Sequence, residues 1–204
     1  MITIHHLGIS RSERIIWLAE ELGLEYQIVK HDRGADFRAP ESLWAVHPMG
    51  KAPVIEYQGS KVFESGAIIE YLLERCDRAE APLKPDSSSQ QYINYLHWVH
   101  AAESTLMLPI MIKFLSGMVN LDHPPLNGFV DGELKTLFTY INDILGQHDY
   151  IAGDAFTGAD IMVAYPLMMA DGMEPSPLAE YPAISAYIAR LRERPAYQRA
   201  AEKF

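Results

Sequence analysis

The sequence predicts an α/β unit followed by an all-helical unit. Three observations point there. Over the first 76 residues short strand patterns alternate with helical ones, in the order β-α-β, a connecting segment, then β-β-α. Residues 77–89, "DRAEAPLKPDSSS", are polar and hold two prolines and three serines, the composition of a linker. Everything beyond reads as helix. The expected division is therefore residues 1–77, a linker over 78–89, and a helical bundle over 90–204.

Each element has its own local reason. In "ITIHHL", Ile2 and Ile4 recur at period two, as a strand requires. "SRSERIIWLAEELG" then sets Ile15, Leu18, Ala19 and Leu22 on one helical face, and Gly23 is placed to end that helix. "EYQIVKH" reads as a second strand, and the polar, mixed stretch 32–47 as an irregular helix. "PVIEY" and "KVF" are two strands joined by a short hairpin at Gln58-Gly59-Ser60, and 65–76 is helical again. In the second half, "QQYINYLHWVHAAESTLMLPIMIKFLSGM" is long and amphipathic, with Pro109 expected to kink or interrupt it. Further helices follow at 129–147, in "FTGADIMVAYPLMMADG", and in "YPAISAYIARLRERPAYQRAAEKF", the last split at Pro195.

Composition narrows the function. The formal charge of −10 repels phosphate backbones, and no cluster of lysine and arginine overrules it locally, so nucleic acid is not an expected partner. No apolar run approaches the ~20 residues of a membrane-spanning helix. Cys76 is the single cysteine, so no internal disulfide forms, which fits a reducing compartment. "MITIHHLGIS" lacks the basic run and apolar stretch of a secretory signal. The expectation is a cytoplasmic protein.

Three short motifs each admit two readings. Pro53 has no N–H to give a ladder, so it belongs at a strand's first residue, at an edge or at a bulge. As a trans proline it starts an edge strand; as a cis proline it makes a tight turn that leaves the backbone of Val54 free to pair with a bound peptide. Glu64 and Ser65 open the following helix. They are either an N-cap or an anion site, where a ligand carboxylate meets the helix N-terminus and Glu64 holds a ligand ammonium. Ser10 and Glu13 fit a capping box; alternatively the Ser10 hydroxyl points at a ligand thiol. A thiol titrates near ~8.5, so half ionisation at neutrality needs ~2 kcal/mol, within reach of one hydrogen bond to a charged group. Arg14, one turn on, adds positive charge or braces the fold.

Other features read as structural. In "FTGADI", Thr157 and Asp160 form a capping box, with Phe156 and Ile161 spaced as a hydrophobic staple. Seven of the nine methionines lie at 107–118 and 162–173, either as core or as lining for varied apolar ligands. His5 and His6 are adjacent and face opposite sides of a strand, and His97 and His100 lack a third ligand, so no metal site is expected.

"SRSERIIWLAEELGLEY", "HPMGKAPVIEYQGSKVFESGAIIEYLLER" and "FTGADIMVAYPL" together resemble the cytosolic glutathione S-transferases, specifically a serine-type member of the bacterial and fungal branch related to theta and delta enzymes. The resemblance implies a thioredoxin-like N-terminal domain, a C-terminal helical bundle, and a homodimer serving detoxification in the cytoplasm. It implies conjugation of the glutathione thiolate to small apolar electrophiles, with hydroperoxides as further substrates and no metal. The alternative on the same fold is a non-catalytic glutathione-binding or regulatory protein. Carried over by residue, Ser10 and Arg14 match the active hydroxyl and the arginine four residues after it. Pro53 would be cis, Val54 would pair with the cysteinyl backbone, Glu64 and Ser65 would hold the γ-glutamyl end, and Lys51 the glycine carboxylate. Met107, Met111 and Phe114 would line the electrophile pocket, and Glu103 would reach across a dimer.

Overall fold

The structure, a computed structural model, describes residues 1–76 and 82–204. It separates into two compact units, Met1–Leu83 with Glu193–Phe204, and Lys84–Arg192. The expected boundary at 77 and the start of the linker at 78–81 lie outside the described residues. One expectation needs correcting: the bundle was read as running to 204, whereas the C-terminal segment groups with the first unit. Its amphipathic turns carry no mark of which helix they will cover.

In the first unit, β1 (Ile2–Leu7), β2 (Tyr26–His31), β3 (Val54–Tyr57) and β4 (Ser60–Phe63) form a sheet in the order β2-β1-β3-β4. β1 runs parallel to β2 and antiparallel to β3, and β3 is antiparallel to β4. Being central, β1 is buried on both faces, whereas β2, at an edge, is mostly exposed. Helix α1 (Glu13–Leu22) ends as expected at Gly23, whose φ of 61° is left-handed, with the Gly23 and Leu24 N–H groups closing onto the Glu20 and Ala19 carbonyls. The irregular stretch holds one short helix, α2 (Glu41–Val46). Helix α3 (Ser65–Cys76) buries Ile68, Ile69, Leu72 and Leu73.

Two starts depart from expectation. α1 begins at Glu13, with Ser12 and not Ser10 at its cap position. The capping box is half made: the Ser10 N–H donates to the Glu13 carboxylate at 3.3 Å, while the Ser10 hydroxyl turns to Ser12. In the second unit, α4 (Gln90–Ala101) passes through a π-helical turn (Ala102–Leu106) into α5 (Met107–Met118). The interruption is therefore the wider π turn, which falls just before Pro109, a residue with no N–H to give to the preceding turn.

Helix α6 (Pro124–Leu145) starts earlier than the 129 expected, because Pro124 suits a first helical position and His123 caps Leu126 N–H at 3.2 Å. α7 (Gly158–Asp171) carries the expected capping box between Thr157 and Asp160. Asp160 is fully buried and accepts from Ile151 N–H, Thr157 N–H and the Tyr187 hydroxyl at 2.9, 2.8 and 2.8 Å. α8 (Pro182–Arg192) completes this unit. α9 (Pro195–Ala201) belongs to the first unit, where it packs on α1, with Arg194 and Arg199 paired to Glu21 and Glu20 at 2.7 Å. Among the described residues no helix is long and apolar enough to cross a membrane.

Candidate functional site

Strand register brings the first-unit motifs together. His5 of β1 stands opposite Val54 of β3, and Val54 stands opposite Phe63 of β4. The chain leaves β1 at that end toward Ser10, enters β3 there from Lys51 and Pro53, and leaves β4 there into Glu64 and Ser65. Seven separately chosen residues thus converge on one end of one sheet: Ser10, Arg14, Lys51, Pro53, Val54, Glu64 and Ser65.

Their environments differ in ways that suit their chemistry. The Ala52–Pro53 peptide is cis, and Val54 is buried as the first residue of β3. Lys51 and Glu64 are exposed, one of each charge, while Ser65 is buried at the first position of α3. The first turn of α3 carries no acidic side chain, so its unpaired N–H groups and partial positive charge are not neutralised from within. Arg14 is buried at the start of α1.

Backbone strain marks the same places. Ile9, just before Ser10, has φ 52°, and Glu64, just before Ser65, has φ 68°. Left-handed backbone costs a side-chain-bearing residue roughly 1–2 kcal/mol, and a β-branched residue is a genuine outlier there. Such strain persists where surrounding structure over-determines it, commonly at functional sites. At Ile9 the restraint is visible. The Arg33 guanidinium donates to the Gly8 and Ile9 carbonyls at 2.9 Å each and to the Phe37 carbonyl at 2.8 Å, pinning the loop that carries Ser10.

Ser10 itself is 8% exposed and tied into a buried polar chain. Its Oγ lies 2.7 Å from Ser12 Oγ, which lies 2.8 Å from His6 Nδ1. Burial pushes the His6 imidazole below its ordinary value, helped by Lys30 and His31, so the ring is neutral at pH 7. Burial pushes the Glu13 carboxyl up to about 7, against the pull of the Ser10 N–H and of Arg14. Sequence reading missed Arg33, His6 and Ser12. The alternation of His5 and His6 across the strand was the only available signal, and it did not say which of them would meet Ser12.

The second-unit residues are not brought together in the same way. Met107 is core, at 2% exposure, Met111 is half-buried, and Phe114 is 36% exposed. Within that unit a groove of about 840 Å³ is lined by Phe114 with Met118, Leu121, Met169 and Met173, and Met107 and Met111 are not among its walls. Among the described residues no group of three or more His, Cys, Asp or Glu side chains is placed to hold a metal ion.

Comparison with known proteins agrees over the whole chain. Residues 1–74 match the model for the glutathione S-transferase N-terminal domain and residues 127–195 that for the C-terminal domain. Glutathione S-transferase 1 of Saccharomyces cerevisiae is 31% identical over 100% of this chain and 95% of its own length. A crystal structure of a glutathione S-transferase from Actinobacillus pleuropneumoniae is 34% identical with a TM-score of 0.89, covering 100% of this chain and 92% of that one. A glutathione transferase homologue from Lodderomyces elongisporus, solved with two GSH per subunit, shares the fold at 20% identity, a TM-score of 0.81 and coverage of 98% and 97%.

Proposed function

Because this chain belongs to the glutathione S-transferase family, we propose that it is a glutathione transferase whose catalytic cradle is the sheet end built from Ser10, Val54, Glu64 and Ser65. The observation that carries the proposal is the convergence of these residues through the row His5–Val54–Phe63. A γ-glutamyl group carries an ammonium and a carboxylate on one carbon. Exposed Glu64 meets the ammonium, and the N-terminus of α3 with Ser65 meets the carboxylate. The cysteinyl backbone lies against the cis Ala52–Pro53 turn that enters β3, because Val54 itself already stands between His5 and Phe63. Lys51 answers the glycine carboxylate. Arg14 adds a buried positive charge at the foot of α1.

Held this way, the cysteinyl sulfur meets the Ser10 hydroxyl. The hydroxyl donates to the thiolate and is not itself a nucleophile. The thiolate attacks an electrophilic carbon, a C–S bond forms, and the leaving group departs with its electron pair. With an organic hydroperoxide, two glutathione thiols supply two electrons, the O–O bond breaks, and glutathione disulfide, an alcohol and water result. On α5, exposed Phe114 and half-buried Met111 offer apolar area that suits small apolar electrophiles, while Met107 is core. A cytoplasmic, homodimeric protein serving detoxification completes the proposal.

The test is Ser10→Ala, assayed with an aryl halide across pH. Loss of one hydrogen bond to a charged sulfur, ~1.5–3 kcal/mol, lowers kcat/KM at neutral pH by about ten- to a hundredfold and moves the pH profile upward. An unchanged rate and profile would remove Ser10 from the mechanism.

A further inference from the structure

We infer that His6 and Ser12 are positioning residues that lock the Ser10 hydroxyl into a donor role toward the bound sulfur. The inference rests on the reading of Ser10 given above and adds two residues and a direction to it. A serine hydroxyl has one proton to give and two lone pairs to fill. Around Ser12 Oγ stand the Leu7 N–H at 3.3 Å, His6 Nδ1 at 2.8 Å and Ser10 Oγ at 2.7 Å, with the Leu7 carbonyl at a long 3.4 Å. Around Ser10 Oγ stand Ser12 Oγ at 2.7 Å and the Ser12 N–H at 3.3 Å.

Two polarities use both short links and leave the long Ser12–Leu7 carbonyl contact unmade. In one, His6 carries its proton on Nδ1 and donates to Ser12 Oγ, which also accepts from the Leu7 N–H. The Ser12 proton then goes to Ser10. Both lone pairs of Ser10 are filled, by the Ser12 hydroxyl and the Ser12 N–H, so its own proton can only point outward. In the other polarity Ser10 donates inward to Ser12, Ser12 donates to an unprotonated His6 Nδ1, and Ser10 presents a lone pair outward. A lone pair repels a thiolate and accepts from a thiol.

The first polarity favours the ionised ligand and the second the neutral one. The choice is made at His6, by which ring nitrogen holds the proton. Because His6 is 2% exposed and neutral, bulk water does not scramble that choice. The two side-chain links, His6 to Ser12 and Ser12 to Ser10, are short and buried, where hydrogen bonds polarise one another along a chain.

The experiment measures the pKa of enzyme-bound glutathione from its thiolate ultraviolet absorbance, in Ser10→Ala, Ser12→Ala, Ser12→Thr, His6→Leu and His6→Asn variants. Affinity for S-methylglutathione, which has no thiol to ionise, is measured alongside. Ser12→Ala and His6→Leu raise the bound thiol's pKa by about one unit, a roughly tenfold loss of thiolate at neutral pH, while S-methylglutathione binds as before. His6→Asn, whose amide N–H replaces the Nδ1 donor, and Ser12→Thr, which keeps the hydroxyl, stay near the parent value. If Ser10→Ala raises the pKa but Ser12→Ala and His6→Leu leave it unchanged, the inference is overturned and the reading of Ser10 stands. If Ser10→Ala itself has no effect, the underlying reading fails first. A His6→Leu chain that does not fold leaves Ser12→Ala and Ser12→Thr to decide.

Discussion

Replacing Glu13 with glutamine makes the protein more stable, and the gain grows with pH. Glu13 is half-buried at the start of α1 and accepts the Ser10 N–H at 3.3 Å. Burial holds its carboxyl at about 7 in the folded protein, against an ordinary 4.5. The sign follows from proton counting. Between those two values the unfolded chain has released a proton that the folded protein still holds, so stability falls as pH rises through that window. Above it the full penalty applies. At about 1.4 kcal/mol per pH unit it approaches about 3 kcal/mol, and at pH 4.5 it is only about 0.4 kcal/mol. Glutamine is never ionised, and its side-chain oxygen still accepts from the Ser10 N–H, so Glu13→Gln removes the penalty and keeps the contact. Urea unfolding of both proteins at pH 4.5, 6, 7.5 and 9 reads the difference directly; in heat unfolding it corresponds to roughly 6–12 °C at the alkaline end. A difference that stays constant across that range, or that shrinks as pH rises, would refute the assignment of a raised carboxyl to this position.

Further outcomes follow from particular contacts. Asp160→Ala leaves the Ile151 and Thr157 N–H groups and the Tyr187 hydroxyl without their acceptor. At ~1–3 kcal/mol for each of these three stranded groups, the second unit loses about 3–9 kcal/mol, seen as a lower urea midpoint, while Asp160→Asn recovers only part of the loss because an amide offers one oxygen. Gly50→Ala brings a Cβ to 2.4 Å from the ring of Trp44, an exposed side chain that must turn away, and the φ of 55° adds backbone strain of roughly 1–2 kcal/mol. Gly50 enters the Lys51–Pro53 segment, so the expected outcome in calorimetry is weaker glutathione binding by the variant.

Much of the fold was legible because its signals are local. Gly23 ends α1, Thr157 and Asp160 cap α7, and Pro195 separates the last two helices, each as its sequence neighbourhood dictates. The β-α-β and β-β-α order needed only alternation and one hairpin signal at Gly59. What escaped depends on pairing across distance. Ser10 reads as a helix cap until Ser12 is seen to compete for its hydroxyl, with His6 waiting behind on the central strand. Arg33 reads as one more surface cation until its three N–H groups are found on the Gly8, Ile9 and Phe37 carbonyls. The grouping of α9 with the first unit rests on arginines paired with Glu20 and Glu21, well over a hundred residues back along the chain. The site followed the same rule. Most of its members stood out one by one by residue type and Lys51 only through the family resemblance, while the strand register shows which chain ends share one end of the sheet. The methionines remained ambiguous because core and pocket wall draw on the same apolar side chains, and burial alone separates Met107 from Phe114.

The central claim is that one end of the sheet binds glutathione and keeps its sulfur ionised. Titrating the thiolate absorbance of glutathione on the saturated protein tests it most directly. The account predicts a midpoint at least about one unit below the ~8.5 of a free thiol. A saturable complex whose sulfur titrates where the free thiol does would contradict it.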